Sequence, residues 1–304
     1  MRYLRIAATF LVLPATLAVW GFGIEPASLR NESAVIHLPR WSQDCDGLRV
    51  AVLADLHVGS PHIGLSKLKE VVRLANNASP DLILLAGDFV IHGVVGGRFV
   101  PPEDSAVVLA NLRAKTGVYA VLGNHDWWLD AARVRASFER VGIPVLDDAA
   151  RLISSEGCEF WLAGVSDFWE GAHDVAKALR FVPRDATVLL FTHNPDIFPE
   201  IPERVALTIA GHTHGGQVYI PGIGRPIVPS QFGERYAIGH IEEEGRHLFV
   251  SSGVGTSIIP VRFLVPPEVS VIELRASGPQ PNNSQMPSAA RFSRASGRGR
   301  QESR

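Results

Sequence analysis

Gly211-His212-Thr213-His214-Gly215-Gly216 follows the apolar run Val205-Ala206-Leu207-Thr208-Ile209-Ala210. The run has the length and composition of a buried strand. Two imidazoles separated by one residue then sit between glycines. On an extended backbone, residues i and i+2 project to the same side. Two ring nitrogens are thus offered together at a strand end, where α/β folds place their ligand sites. Imidazole is a common transition-metal ligand. Alone, H-x-H reads equally as a polar turn, so its meaning rests on what other strand ends carry.

Working outward, other apolar runs end the same way. Leu48 to Ala54 stops at Asp55-Leu56-His57, and Asp81 to Ala86 at Gly87-Asp88. Val118 to Leu122 stops at Gly123-Asn124-His125-Asp126, and Thr187 to Phe191 at Thr192-His193. Glu159 to Val165 is a further strand, ending near Ser166-Asp167. Helical spacing falls between them at 66–76, with Ser66 as its cap, at 105–115, stopped by Gly117, and at 131–141. A helix is centred on 175–179, and 142–146 leads into another strand. Gln217 to Ile220 and Leu248 to Val250 read as strands of a hairpin-rich region, and Val269 to Leu274 as the last strand.

The strand ends together offer Asp55, His57, Asp88, Asn124, His193, His212 and His214. That donor set exceeds the four ligands of a tetrahedral zinc. It suits two neighbouring cations that share a carboxylate, with a bridging hydroxide attacking phosphorus in line. His125, next to Asn124, is placed to protonate the leaving oxygen, and Asp126 either orients it or caps a helix.

D-x-H, G-D, G-N-H-D, a later lone histidine and G-H-T-H occur in order, each after a strand. This set resembles the calcineurin-like metallophosphoesterase superfamily over about Leu48 to Leu274. The resemblance implies an α/β fold, a four-layer α/β/β/α sandwich of two mixed sheets. It implies one metal at Asp55, His57, Asp88 and His214, and the other at Asp88, Asn124, His193 and His212. Asp88 bridges, and His125 is the catalytic histidine. Gly211 to Gln217, Pro221 to Pro226 and Ser252 to Ser257 are similar to a small bacterial branch with an N-terminal membrane segment. That branch is associated with phosphodiesters or lipid-linked phosphates. Gly87 to His92 lacks the carboxylate often found there after G-D.

The expected reaction is metal-dependent phosphoester hydrolysis, with a phosphodiester or lipid-linked phosphate as substrate. A phosphomonoesterase and a non-catalytic, metal-stabilised scaffold are the alternatives. Oxygen and nitrogen donors suit manganese, iron and zinc alike. His62, His92 and Arg225 are candidate substrate contacts. Trp127, Trp128, Phe168 and Trp169 read as core aromatics, with an apolar rim for a lipid chain as the other reading.

The 304 residues carry a formal charge of −2, which gives no basic signal for nucleic acid. Residues 276–304 hold five arginines and one glutamate and almost nothing apolar, so they read as a disordered, solvated basic tail. Residues 45–275 read as the catalytic domain and 25–44 as a linker or short extended arm, in which Leu38 to Trp41 either lies along a membrane surface or packs as a strand edge. Ile6 to Ile24 runs nineteen residues without charge behind Arg2 and Arg5, so 1–24 reads as an uncleaved anchor. The expected location is a bacterial cytoplasmic membrane, single-pass, with the domain on the extracytoplasmic side. Cys45 and Cys158 make no disulfide framework and read as two unpaired thiols.

Overall fold

The computed structural model describes residues 12–277. Five strands form the first sheet in the order β1-β11-β2-β3-β4. They are β1 (Arg30–Leu38), β2 (Leu48–Leu53), β3 (Leu82–Ala86), β4 (Val118–Val121) and β11 (Glu268–Ala276). The second sheet has six, in the order β5-β6-β7-β8-β10-β9. These are β5 (Ala149–Ser155), β6 (Cys158–Gly164), β7 (Val188–Phe191), β8 (Leu207–Ala210), β9 (Gly239–Glu243) and β10 (Arg246–Val250). The central strands are parallel and read as unbroken apolar runs because both of their faces are covered.

One apolar layer, with Val50, Leu84, Phe160 and Ile209, fills the space between the sheets. A second lies between the first sheet and the helices α1 (Leu65–Asn77), α2 (Pro102–Leu109) and α3 (Asn124–Arg140). A third covers the far face of the second sheet with Phe198, Tyr236 and the short α4 (Val175–Ala178). The result is an α/β/β/α sandwich whose second helical layer is thin.

Several boundaries differ from expectation. Residues 30–38 are not linker but β1, an edge strand parallel to β11 in which only Ile36 and Leu38 are buried. Ala276, assigned to the tail, pairs with Leu38 at the end of β11. The cap of α1 is Gly64 rather than Ser66. Helix α2 starts at Pro102, whose fixed φ suits a first helical position, and ends at Leu109, well before Gly117. Helix α3 starts at Asn124, seven residues before 131, with a break at Asp130. Gln217 to Ile220 forms no strand, only isolated bridges from Val218 to Phe263 and Ile220 to Gly224. The run at 142–146 leads into β5, which carries no apolar run of its own because it is an edge strand with Ile153 alone buried.

Cys45 and Cys158 are not free thiols. They form a disulfide, with their Cα atoms 4.7 Å apart, that ties the segment before β2 to the start of β6. Among the described residues no helix is long and apolar enough to cross a membrane. The anchor reading falls partly on residues 1–11, and the tail reading almost wholly on 278–304, which lie outside the described residues. Residues 12–24 are helical, ending in a π-helical turn at Trp20–Ile24.

Candidate metal centre

The loops that leave β2, β3, β4, β7 and β8 converge at one end of the sandwich. Asp55, His57, Asp88, His212 and His214 there all have positive φ, between 39° and 69°. The extended geometry expected for the two i, i+2 pairs is therefore absent. The chain instead turns through left-handed conformations that cost non-glycine residues free energy. That turn sends the two histidines of 211–216 to different neighbours. His214 Nε2 stands 3.1 Å from His57 Nε2 and 3.6 Å from Asp55 Oδ1. His212 Nδ1 stands 3.1 Å from His193 Nε2, which lies 3.2 Å from Asn124 Oδ1.

Between these groups lies one oxygen. Asp88 Oδ2 is 3.5 Å from His57 Nε2 and 3.3 Å from His193 Nε2. Three overlapping sets of donors able to hold a cation result, Asp55–His57–His214, His57–Asp88–His125 and Asp88–His193–His212, all buried. The second Asp88 oxygen accepts the His125 backbone N–H at 2.9 Å, which fixes the carboxylate plane.

Neighbouring carbonyls set the ring tautomers. His57 Nδ1 donates to the Val90 carbonyl at 3.1 Å and His193 Nδ1 to the Ala86 carbonyl at 2.8 Å. Each ring then turns a lone pair into the site through Nε2. His193 Nε2 and Asn124 Oδ1 consequently face one another as two acceptors, an arrangement that calls for a cation. The electrostatics agree. Burial pushes the Asp55 carboxyl up to about 7 and the His57 imidazole down to about 3. Burial opposes charge on His193 as well, but Asp88, Asp55 and Asp167 drive it up to about 10. Without a cation, His193 would thus hold a proton that offsets these acids; a divalent cation would take that proton's place and free the Nε2 lone pair, so the donors fit divalent cations.

The motif glycines make room for these side chains. A Cβ on Gly123 would lie 2.2 Å from Asp88 Oδ1, and one on Gly211 2.7 Å from Asp55 Oδ2. Real side chains do not tolerate such contacts.

His125 lies beside these donors, in the first turn of α3. Its ring is 4.6 Å from that of His57 and 4.8 Å from Trp128, and Nε2 is 3.9 Å from Asp88 Oδ2. Among the described residues Nδ1 has no hydrogen-bond partner. Asp126 does not orient His125. Its Oδ2 accepts the N–H groups of Asp88 and Gly123 at 2.9 and 3.0 Å, and Oδ1 those of Phe89 and Val90 at 2.9 and 3.2 Å. It caps α3 and clamps the loop that carries Asp88.

The three candidate substrate contacts separate. His92 is exposed, with its ring 6.3 Å from His125 and 5.6 Å from Trp128. His62 faces away from the donor sets and bonds the Phe22 carbonyl at 2.9 Å. Arg225 braces the histidine turn by donating to the Gly215 carbonyl, with its guanidinium 5.2 Å from the Tyr219 ring. Two indoles flank the donors, Trp128 beside His125 and Trp169 at 4.4 Å from His212. Both are partly exposed, so neither is a core aromatic, whereas Trp127 packs against the first sheet's core.

Arg262 was not foreseen. It is fully buried and donates to the carbonyls of Ser252, Gly253, Gly255 and Val265. The caged loop lies under Asp55, whose carbonyl accepts the Gly255 N–H. A lone arginine in a Val-Arg-Phe context carries no sequence signal for such a role.

The chain belongs to the calcineurin-like phosphoesterase family, whose model matches residues 48–216. It is a metal-dependent phosphoester hydrolase. It is 33% identical over 231 residues to phosphodiesterase YaeI of Escherichia coli, covering 74% of this chain and 82% of that protein. It is 28% identical over 276 residues to the uncharacterized metallophosphoesterase YkuE of Bacillus subtilis, covering 88% and 94%. A zebrafish (Danio rerio) transmembrane protein with a metallophosphoesterase domain is 28% identical over 281 residues, 87% of this chain and 62% of that protein.

Proposed function

We propose that the protein is a membrane-tethered phosphodiesterase with two divalent cations, manganese, iron or zinc. One observation carries the reading. Asp88 Oδ2 lies 3.5 Å from His57 Nε2, in the buried donor set closed by His214, and 3.3 Å from His193 Nε2, in the one closed by His212. Bound there, two cations would neutralise phosphate charge and lower the pKa of water.

The protein's own groups do the rest. His57 and His193 keep their Nε2 lone pairs aimed at the site by donating through Nδ1. Asp88 is held in plane by the His125 N–H, and its loop by Asp126. His125 supplies the proton to the leaving oxygen, because its imidazole borders the donors and is not committed to a protein acceptor at Nδ1. Trp128 and Trp169 give the rim an apolar surface on both sides, which suits a phosphate carrying organic substituents.

The related YaeI bears the name phosphodiesterase, which favours a diester. The charge-free run from Ile6 to Ile24 and the naming of the zebrafish relative as a transmembrane protein favour tethering. The Cys45–Cys158 disulfide favours the oxidising, extracytoplasmic side. The test compares kcat/KM of metal-loaded protein on bis-p-nitrophenyl phosphate and p-nitrophenyl phosphate. The diester is expected to be the better substrate; a monoester preference overturns the diester assignment.

A further inference from the structure

Four segments surround the metal end of the sandwich, and all present apolar side chains to solvent. The loop after β8 exposes Ile223 and Ile227, at 74% and 75%. The loop after β10 exposes Ile258 at 68%, along with Ile259 and Leu264. The loop after β3 exposes Val95 and Phe99, and the segment before β1 exposes Leu17, Trp20 and Phe22.

These segments form one continuous face. Val95 N–H donates to the Ile258 carbonyl at 2.9 Å, and Gln217 reaches the Ser257 and Ile259 carbonyls. Tyr219 N–H donates to the Phe263 carbonyl at 2.8 Å. Arg262 N–H donates to the Gly21 carbonyl at 2.9 Å, and His62 joins the Phe22 carbonyl to the loop after β2. Topology gives the same answer. The three loops leave the carboxyl ends of parallel strands, and β1 runs opposite to β2, so its leading segment starts at that end.

The segments of this face are poor in acids. The chain has 31 Asp and Glu residues, yet residues 12–29, 89–100, 217–230 and 255–264 contain one, Glu25, which is buried. Their charged groups outside the core are Arg98 and Arg225. The charge-free run from Ile6 ends against this same face, at Gly21 beside Val261. Glu234, an exposed acid of the loop after β8, accepts the Arg225 N–H at 2.8 Å beside this surface. An apolar surface so poor in acids and continuous with an apolar leader has the chemistry of an interfacial membrane contact.

We propose that this end of the protein docks on an anionic lipid bilayer, with the loops at 223–227 and 258–264 embedded at the headgroup–acyl boundary. The metal centre then opens at the headgroup plane and takes the phosphodiester of a lipid that stays in the membrane. The docking stands on the surface alone; the choice of a lipid phosphodiester rests on the functional reading above. Tethering by residues 1–24 alone would leave the domain free to face any direction, whereas this contact orients it.

The test uses full-length protein in vesicles of phosphatidylcholine and phosphatidylglycerol. Ile227→Cys and Ile258→Cys are labelled, without reductant, with an environment-sensitive fluorophore. Phe181→Cys, exposed in the segment leading into β7 at the opposite end, is the control. Nitroxide-bearing acyl chains are expected to quench positions 227 and 258 but not 181. Equal quenching at all three positions, or none at 227 and 258, overturns the docking. In a second arm, Ile223→Asp with Ile258→Asp should cut turnover of a phospholipid phosphodiester in vesicles roughly tenfold or more. Turnover of soluble bis-p-nitrophenyl phosphate should be retained. Equal turnover of vesicle lipid by this variant and the wild type overturns the orientation claim. Quenching at 227 and 258 with no hydrolysis of any phosphodiester leaves docking in place and overturns the functional reading instead.

Discussion

The Asp126 carboxylate accepts the backbone N–H of Asp88 at 2.9 Å, and its two oxygens together take four backbone N–H groups. Asp88 is thus positioned from behind by a second buried aspartate. Asp126→Asn would keep the shape but leave one oxygen to do the work of two. Buried N–H groups without partners cost about 1–3 kcal/mol each. The variant should therefore lose about 2–5 kcal/mol of stability by chemical denaturation and bind metal less tightly. A residue that only oriented His125 would leave stability unchanged.

Gly123→Ala tests the same relationship sterically. Its Cβ would fall 2.2 Å from Asp88 Oδ1 and 2.6 Å from Asp88 N, although Gly123 itself has an ordinary φ of −98°. The carboxylate must move, and a displacement of about 1 Å can cost about 10²-fold in rate. We expect a loss of that order in kcat with the secondary structure unchanged by circular dichroism. Wild-type turnover would show that Asp88 tolerates the shift.

The metal end was legible in sequence because each donor follows an apolar strand, and the central strands, buried on both faces, are unbroken apolar runs. The backbone there was not. Five donor residues turn through positive φ, which no side-chain pattern announces. Strands β1 and β5 are only hinted at, by the extended arm within 25–44 and by the run at 142–146, because an edge strand buries few residues, Ile36 and Leu38 in one and Ile153 in the other. The Cys45–Cys158 bridge and the Arg262 cage join residues distant in sequence, and their pairing is a property of the folded chain.

His125→Asn should discriminate between leaving groups. Loss of a proton donor costs about 10²–10⁴-fold when the leaving alkoxide is poor. For p-nitrophenolate, which leaves without a proton, the loss should be much smaller. His125 also belongs to a donor set with His57 and Asp88, so metal content distinguishes the roles: it should not change if His125 acts as proton donor, and a lost ion would make it a ligand. Equal losses on both substrates would assign His125 to charge stabilisation instead.

The disulfide should support stability rather than chemistry. It closes a separation of 113 residues between the two sheets, remote from the donor sets. Cys158→Ser should cost about 2–5 kcal/mol and lower Tm, with kcat at room temperature preserved. An unchanged Tm on substitution or reduction would show that the bridge does not form in solution.

The central claim is that Asp88 joins two cation sites through one oxygen. Its direct test is bound metal per chain, measured by elemental analysis after reconstitution and removal of free ions, in wild type and Asp88→Asn. The account predicts two ions per wild-type chain and one or fewer in the variant, with the fold intact. One ion in the wild type, or two in Asp88→Asn, would contradict it.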